Sequence, residues 1–392
     1  MDRIILKAKE DRRLRQGHLW VFSNEIAEKP REAGVGDLVE VYSREGLLLG
    51  TALYHPHSLI AARLLGKGVA RLDHDFFRER LRAALALRSR IFPEELSYRL
   101  VHGESDFLPG LIVDRYQECL VVQTLAAGMD QRLDLICDAL EELLSPAAIV
   151  ERNDSSLRRY EELPERSQVR RGSCQDLVLI QENGIQYGID LLQGQKTGFY
   201  LDQKLNRRAA ARYCPGQKVL DCFCSEGGFS LNAARAGAGS VLGVDVSGSG
   251  LARARANAAR NQLSNVEFLE QDVFAFLQER AAERNRFGVI ILDPPSFARS
   301  KKDVPAARKA YRRINELACG LLEPGGILAS ACCSFQIFED VFLKLIQEAA
   351  LRAGRRLRLL EWRHQSPDHP MLPGMPETHY LKMGIFQVVP EK

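Results

Sequence analysis

No apolar run in the sequence approaches the roughly 18 residues that a membrane-spanning helix needs, so no transmembrane segment is expected. The first residues, MDRIILKAKEDRRLRQG, carry charges where a secretory signal would place its apolar stretch, and no such signal is expected. Neither sign of charge is in excess. Lys and Arg total 54 against 51 Asp and Glu, a net charge of +3, which excludes a polybasic tail protein. It does not exclude nucleic-acid binding, which needs only a local basic patch. Internal repeats and low-complexity segments are absent. With 45% hydrophobic residues, 30 Gly and 16 Pro, the composition excludes a disordered, collagen-like or fibrous chain. The nine cysteines are an odd count without framework spacing, and a reduced, cytoplasmic chain is expected. Cys222-x-Cys224 and Cys332-Cys333 are too close together for zinc pairs of the CxxC kind, and no His cluster accompanies them in the sequence. No metal site is expected.

What is present fits two or three domains, given 392 residues. Short strand-like stretches at Ile4–Leu6, Leu38–Tyr42, Leu47–Leu53 and Ile60–Leu65, separated by Gly-containing turns, suggest a small β-barrel over residues 1–70. Its first segment holds Arg3, Lys7, Lys9, Arg12, Arg13 and Arg15. That run reads either as a solvated edge strand and turn or as an RNA-facing patch. Residues 71–176 combine helical periodicity at Asp75–Arg90 and Met129–Leu144 with strands at Gly110–Asp114, Cys119–Thr124 and Ala147–Glu151. Residues 152–171, polar and Arg-rich, read as an exposed connection. From residue 177 a hairpin around Asn183-Gly184 leads into alternating strands and helices, the pattern of a mainly parallel sheet covered on both faces.

The chemistry gathers at the strand ends of that last region. Val219-Leu220-Asp221-Cys222-Phe223-Cys224-Ser225-Glu226-Gly227-Gly228-Phe229 is a strand ending in an acid, then a Gly turn into a helix. In a doubly wound sheet a ligand lies beyond that strand end. The turn lacks G-x-G-x-x-G, and Asp221 would repel a pyrophosphate but suits a ligand carrying an ammonium group. Asp245 ends the second strand, 24 residues after Asp221, where a carboxylate accepts ribose hydroxyls. Glu270-Gln271-Asp272 ends the third, where an acid accepts an adenine amino group. Each acid alone reads equally as a helix cap. Three in register with a Gly turn favour a cationic adenosyl ligand without phosphates, and S-adenosylmethionine fits. Asp221, Phe223, Gly227, Asp245, Asp272 and Asp293 are the candidate cofactor contacts.

Leu292-Asp293-Pro294-Pro295-Ser296-Phe297 ends the fourth strand, where Asp293 can bond the edge of a base and the two prolines stiffen the backbone. Ser330-Ala331-Cys332-Cys333-Ser334-Phe335 ends the fifth. These neighbouring strands should bring Asp293 and the Cys pair to one pocket. A thiolate adding to carbon 6 of a pyrimidine makes carbon 5 electron-rich, so Cys333 is read as a nucleophile and Cys332 as a small buried hydrophobe. A basic run at residues 299–313, with seven Lys or Arg and one Asp, reads as a solvated helix face or as a phosphate contact.

With those residues in view, the chain resembles the PUA-domain class I methyltransferases that modify large-subunit ribosomal RNA at cytosine carbon 5. Gly17-His18-Leu19-Trp20-Val21-Phe22 is similar to that family's opening PUA motif. Gly103 to Tyr116 (GESDFLPGLIVDRY) matches its middle-domain signature, and Gln195-Lys196-Thr197-Gly198-Phe199-Tyr200-Leu201-Asp202-Gln203 matches its entry into the catalytic domain. Asp293-Pro294-Pro295-Ser296-Phe297 and Cys333-Ser334 match its active-site motifs. Two departures stand out. Ser225-Glu226 replaces the usual Gly-Thr, and Ser296 occupies the slot where many RNA cytosine-C5 enzymes carry a second Cys that aids product release.

The resemblance implies a doubly wound, Rossmann-like α/β catalytic domain over 177–392, preceded by a β-barrel PUA domain and a small α+β middle domain. It implies S-adenosylmethionine as cofactor, Cys333 and Asp293 as catalytic residues, and large-subunit ribosomal RNA as partner. Lys196, Pro294, Pro295, Phe297, Lys301, Lys302, Arg12 and Arg13 are the candidate RNA contacts. Two alternatives stay open: methylation of a purine with Cys333 structural, and a non-catalytic RNA-binding protein. A homodimer through the middle domain also stays open.

Overall fold

The computed structural model describes residues 1–194, 197–283, 286–298 and 300–389, so Lys196 and Arg299 lie outside the described residues. The chain divides into two compact units. One comprises Met1–Ile180, Ile189–Leu201 and Pro367–Thr378; the other comprises Gln181–Gly188, Asp202–Ser366 and the stretch from His379 onward.

The first unit opens with six strands: β1 (Asp2–Leu6), β2 (Trp20–Phe22), β3 (Ile26–Glu28), β4 (Leu38–Tyr42), β5 (Leu48–Tyr54) and β6 (Ile60–Gly66), with a short helix α1 (Arg12–Arg15) after β1. They form one sheet in the order β2-β6-β5-β4-β1-β3, so β1 is an inner strand rather than the charged edge its sequence suggests. Alternation sends Ile4 and Leu6 of β1 and Val39 and Val41 of β4 into the core, leaving their neighbours outward. Strands β2 and β3 escape the sequence reading because three residues are too few to show a period. His18 is buried there. Its Nε2 lies 3.2 Å from Glu377 Oε2, and its Nδ1 accepts the Trp20 N–H at 3.0 Å.

After helix α2 (His74–Ile91), capped by Asp73, come β7 (Ser97–His102), β8 (Leu111–Tyr116) and β9 (Cys119–Thr124). Helices α3 (Ala127–Asp130) and α4 (Leu133–Leu144) follow, then β10 (Ala148–Asn153) and β11 (Arg166–Gly172). Their sheet runs β11-β10-β9-β8-β7. The expected exposed connection over 152–171 is therefore wrong in part: Arg166–Gly172 is a strand, antiparallel to β10. It has no apolar alternation because its arginines are satisfied by charge. Arg166 Nε donates to Glu151 Oε1 at 2.7 Å, and Arg170 Nη2 donates to Asp134 Oδ1 at 2.9 Å. The single helix expected over Met129–Leu144 is broken at Gln131-Arg132. Before the break, Asp130 accepts from Thr124 Oγ1 at 2.7 Å and Arg158 Nη1 at 3.0 Å.

A hairpin, β12 (Val178–Glu182) and β13 (Ile185–Ile189), precedes helix α5 (Lys204–Ala211). The second unit then alternates: β14 (Lys218–Cys222), α6 (Gly228–Arg235), β15 (Ser240–Asp245), α7 (Gly248–Arg260), β16 (Val266–Glu270), α8 (Val273–Ala282) and β17 (Phe287–Leu292). It continues with α9 (Val304–Leu321), β18 (Leu322–Cys332), α10 (Glu339–Arg352), β19 (Leu357–His364) and β20 (Lys382–Val388). The seven strands run β16-β15-β14-β17-β18-β20-β19, with β20 antiparallel to both neighbours. Period-two alternation splits the core. Leu220, Ile290, Leu292, Leu328 and Cys332 face α8, α9 and α10, while Val219, Val289, Ile291, Ala329 and Ala331 face α5 and α6.

Candidate active site

The strand order reverses at β14, whose neighbours are β15 and β17, so the crevice beyond its carboxyl end is the natural ligand position. The same alternation places the chemistry. Asp221 continues the parity of Val219, Asp293 that of Val289 and Ile291, and Cys333 that of Ala329 and Ala331. All three therefore lie on the α5–α6 side at adjacent strand ends, joined by the pairings Cys222↔Leu292 and Leu292↔Ser330.

The turn from Phe223 to Gly227 folds back tightly. Phe223 (φ 63°), Ser225 (φ 49°) and Gly227 (φ 83°) all adopt left-handed backbone, and the Phe223 N–H donates to Val244 O at 2.8 Å. Gly228 opens α6 where a Cβ would lie 2.5 Å from Arg207 Nε, so a larger residue would displace that guanidinium. Asp221 is fully buried beneath this turn, and its Oδ2 accepts from Ser230 N at 2.8 Å and Ser230 Oγ at 2.6 Å. Among the described residues, its Oδ1 has no hydrogen bond, nor has the buried Ser225 Oγ. Burial raises the Asp221 carboxyl to about 7, with the Asp293 and Asp245 charges adding to the effect and the Ser230 bonds opposing it. A buried carboxylate oxygen without a partner is costly, and a cationic ligand at this turn would satisfy it.

Asp245 ends β15 half-buried and accepts from the N–H groups of Ser225 (2.9 Å) and Ser247 (2.8 Å). Asp272 is exposed and caps α8, its Oδ1 accepting from Ala275 N at 2.9 Å. The residues at the first two strand ends thus fit an adenosyl ligand with an ammonium group. Phe223 packs half-buried against the α8–α10 side of the core.

The Asp-Pro-Pro segment and the Cys-Cys segment meet as the strand order requires. Cys333 Sγ is half-buried and lies 3.7 Å from Pro294 O, while Cys332 is fully buried in the core. Gln203 Nε2 donates to Asp293 Oδ1 at 2.9 Å, and Gln203 Oε1 accepts from Asn206 Nδ2 at 2.7 Å. The two loops are tied by hydroxyls: Ser334 Oγ lies 3.0 Å from Ser296 Oγ and 2.9 Å from Tyr311 OH. Burial pushes the Tyr311 phenol far up, so it serves here as a hydrogen-bond partner and not as a base. Lys382, itself buried, donates its Nζ to Ser334 O (3.0 Å) and Ile337 O (2.8 Å), bracing the turn that follows Cys333. Sequence reasoning did not single out Gln203 or Lys382. Gln203 closes the segment that carries the family resemblance, which was its only signal.

The candidate RNA contacts are scattered more widely. Pro295 is exposed and Pro294 buried. Phe297 is half-buried, its ring 4.8 Å from Tyr311 and 6.2 Å from Phe274. Lys301 and Lys302 stand exposed on a 3-10 turn before α9, and Arg308 and Lys309 continue the exposed basic face of that helix. In the other unit Arg12 is exposed, whereas Arg13 is paired with Glu25 at 2.5 Å.

A further cluster went unforeseen. Glu339, His364 and His379 are brought together by the start of α10, the end of β19 and the approach to β20. Their separations in sequence follow no ligand motif.

Residues 98–383 match the S-adenosylmethionine-dependent methyltransferase family, and residues 4–67 match the PUA-like domain. Ribosomal RNA large subunit methyltransferase I of Pseudoalteromonas atlantica is 40% identical over 392 residues, covering 99% of each chain. The protein of that name from Aeromonas hydrophila is 42% identical over 385 residues, 96% of this chain and 97% of its own. Among solved structures, a putative methyltransferase from Streptococcus mutans shares the fold with a TM-score of 0.86 at 22% identity, covering 99% of this chain and all of that one.

Proposed function

The chain belongs to the S-adenosylmethionine-dependent methyltransferases, and from that premise we propose that it methylates carbon 5 of a cytosine in large-subunit ribosomal RNA. The observation that carries the reading is the position of Cys333: its Sγ stands at the end of β18, 3.7 Å from the Pro294 carbonyl of the Asp-Pro-Pro segment. The names of the relatives, ribosomal RNA large subunit methyltransferase I, support the substrate class.

S-adenosylmethionine, when bound, supplies an electrophilic methyl group. Asp221 and Ser225 hold its charged end and Asp245 its ribose. Asp293, oriented by Gln203, holds the amino and N3 edge of a base extruded from its stack. Cys333 Sγ adds to carbon 6, which makes carbon 5 nucleophilic. Carbon 5 then takes the methyl group, with S-adenosylhomocysteine as the leaving group; a base accepts the carbon 5 proton, the released pair restores the carbon 5–carbon 6 double bond, and the Cys333 thiolate departs. Ser334, Ser296 and Tyr311 keep the two catalytic loops in register throughout.

Three domains serve this reaction: a PUA barrel over 1–70, a middle domain over 71–176 and the catalytic domain over 177–392, each with its own sheet. The exposed Lys301 and Lys302 turn and Arg12 supply backbone contacts to RNA. Nine free cysteines suit the reducing cytoplasm.

The test is nucleoside mass spectrometry of unmodified large-subunit RNA incubated with protein and methyl-labelled S-adenosylmethionine. Labelled 5-methylcytidine is expected, and its loss in Cys333→Ala with cofactor binding intact. A labelled purine would retire the thiolate mechanism. Undiminished transfer by Cys333→Ala would do the same.

A further inference from the structure

We infer that Glu339, His364 and His379 form a binding site for one divalent transition-metal ion of the zinc class. Glu339 Oε1 lies 3.1 Å from His364 Nε2 and 3.0 Å from His379 Nε2. Two ligand atoms about 2.0–2.1 Å from a tetrahedral ion stand about 3.3 Å apart, so each His–Glu pair is already near that spacing, and all three donor atoms lie within 4.8 Å of one another. Two imidazoles and one carboxylate are a ligand set that zinc accepts, whereas magnesium and calcium prefer oxygen alone.

A second observation shows that ordinary hydrogen bonding leaves this cluster incomplete. Among the described residues, His379 Nε2, one of the nitrogens that face the carboxylate, is buried and makes no hydrogen bond despite its closeness to it. Buried ring nitrogens are normally satisfied, and a metal takes the lone pair that no donor here fills. The two rings stack at 4.5 Å between centroids and 16° between planes, so ligation of one ion by both requires one ring to turn about its Cβ–Cγ bond.

The scaffold is rigid. His364 pairs with Lys382 across the antiparallel β19–β20 ladder, and Glu339 is the first residue of α10. Glu339 remains 40% exposed, leaving a face open for a fourth ligand such as water. Lys382 and Arg363 add positive charge nearby, and the Glu339 carboxylate opposes it. Because only the turn Ser334–Phe338 separates Cys333 from Glu339, a bound ion would anchor the far end of the segment that carries the nucleophile.

The experiment is zinc titration of metal-stripped full-length protein against a chromophoric chelator, with X-ray absorption at the zinc edge. One equivalent bound through a nitrogen and oxygen shell is expected. It should be lost in His364→Ala/His379→Ala and weakened at least tenfold in Glu339→Gln, whose amide keeps the shape of the side chain. Magnesium should leave the melting temperature unmoved while zinc raises it. A sulfur shell, or equal zinc uptake by wild type and the double variant, would assign the metal to cysteines and overturn the site. No zinc uptake by folded wild-type protein would overturn it outright.

Discussion

Gln203 Nε2 donates to Asp293 Oδ1 at 2.9 Å, from a side chain that is itself buried and held by Asn206. That bond fixes the plane of the carboxylate at the end of β17. It also joins the segment before α5 to the centre of the site. Gln203→Ala should therefore lower kcat by about 10–100-fold, the cost of a catalytic group displaced by up to an ångström. Cofactor affinity should stay near the wild-type value. Single-turnover kinetics beside calorimetry separates the two, and a loss confined to cofactor affinity would count against a role through Asp293.

The raised Asp221 carboxyl makes a pH-dependent cofactor affinity the expected consequence of the proposed ammonium contact. Its ordinary value is 3.8, and burial raises it to about 7. The folded chain therefore retains a proton that the unfolded chain releases, and this group's contribution to stability falls as pH rises through that window. A ligand ammonium favours the ionised form. The affinity for S-adenosylmethionine should tighten between about pH 6 and about pH 8, and Asp221→Asn should flatten that dependence. Calorimetry across the range is the check; a pH-independent wild type would remove Asp221 from the ammonium contact.

Lys382 is a buried cation with two carbonyl acceptors on the turn after Cys333. Lys382→Met would leave Ser334 O and Ile337 O short of a charged donor while relieving the burial of an ammonium. The net expected loss is about 2 kcal/mol, read from denaturant midpoints. Methyl transfer should fall further than stability alone explains, because the turn that fails is the one following the nucleophile. Equal activity per folded molecule would show the brace to be irrelevant to chemistry.

Among the described residues, Lys301 and Lys302 make no ion pair that would hold them back from a phosphate backbone, unlike Arg13, which is engaged by Glu25. Lys301→Ala/Lys302→Ala should weaken RNA binding and reduce the slope of log affinity against log salt by about 2, since each lysine neutralises one phosphate. Binding measured at several salt concentrations tests this. An unchanged slope would place the RNA elsewhere.

The catalytic unit was legible because its central strands are buried on both faces. Continuous apolar runs such as Phe287–Leu292, ended by acids and glycines, mark their own boundaries, and Val266–Glu270 is found where the sequence puts it. The approach of Cys333 to the Asp-Pro-Pro segment followed from strand order alone. Arg166–Gly172 was hidden because cross-strand ion pairs stand in for the apolar face that periodicity detects. Asp272 caps α8 through Oδ1, the alternative role that the sequence reading kept beside the adenine contact. The Glu339, His364 and His379 cluster was invisible for another reason. Its members converge only through the β19–β20 ladder, a long-range pairing that no local spacing encodes.

The short excursion Pro367–Thr378 leaves the catalytic sheet between β19 and β20 and belongs to the first unit. There the Asp368 carbonyl accepts from buried Arg88 at 2.7 Å, an Asp368 carboxylate oxygen accepts from Arg99 N at 2.9 Å, and Glu377 reaches His18. The amino-terminal half is therefore incomplete until residues 367–378 have been made. A chain cut before residue 367 would leave the paired Arg88 and Asp106 without their third partner, and so would lose order far from the cut. A segment remote in sequence, rather than the local run of each sheet, sets when the first unit can hold its shape.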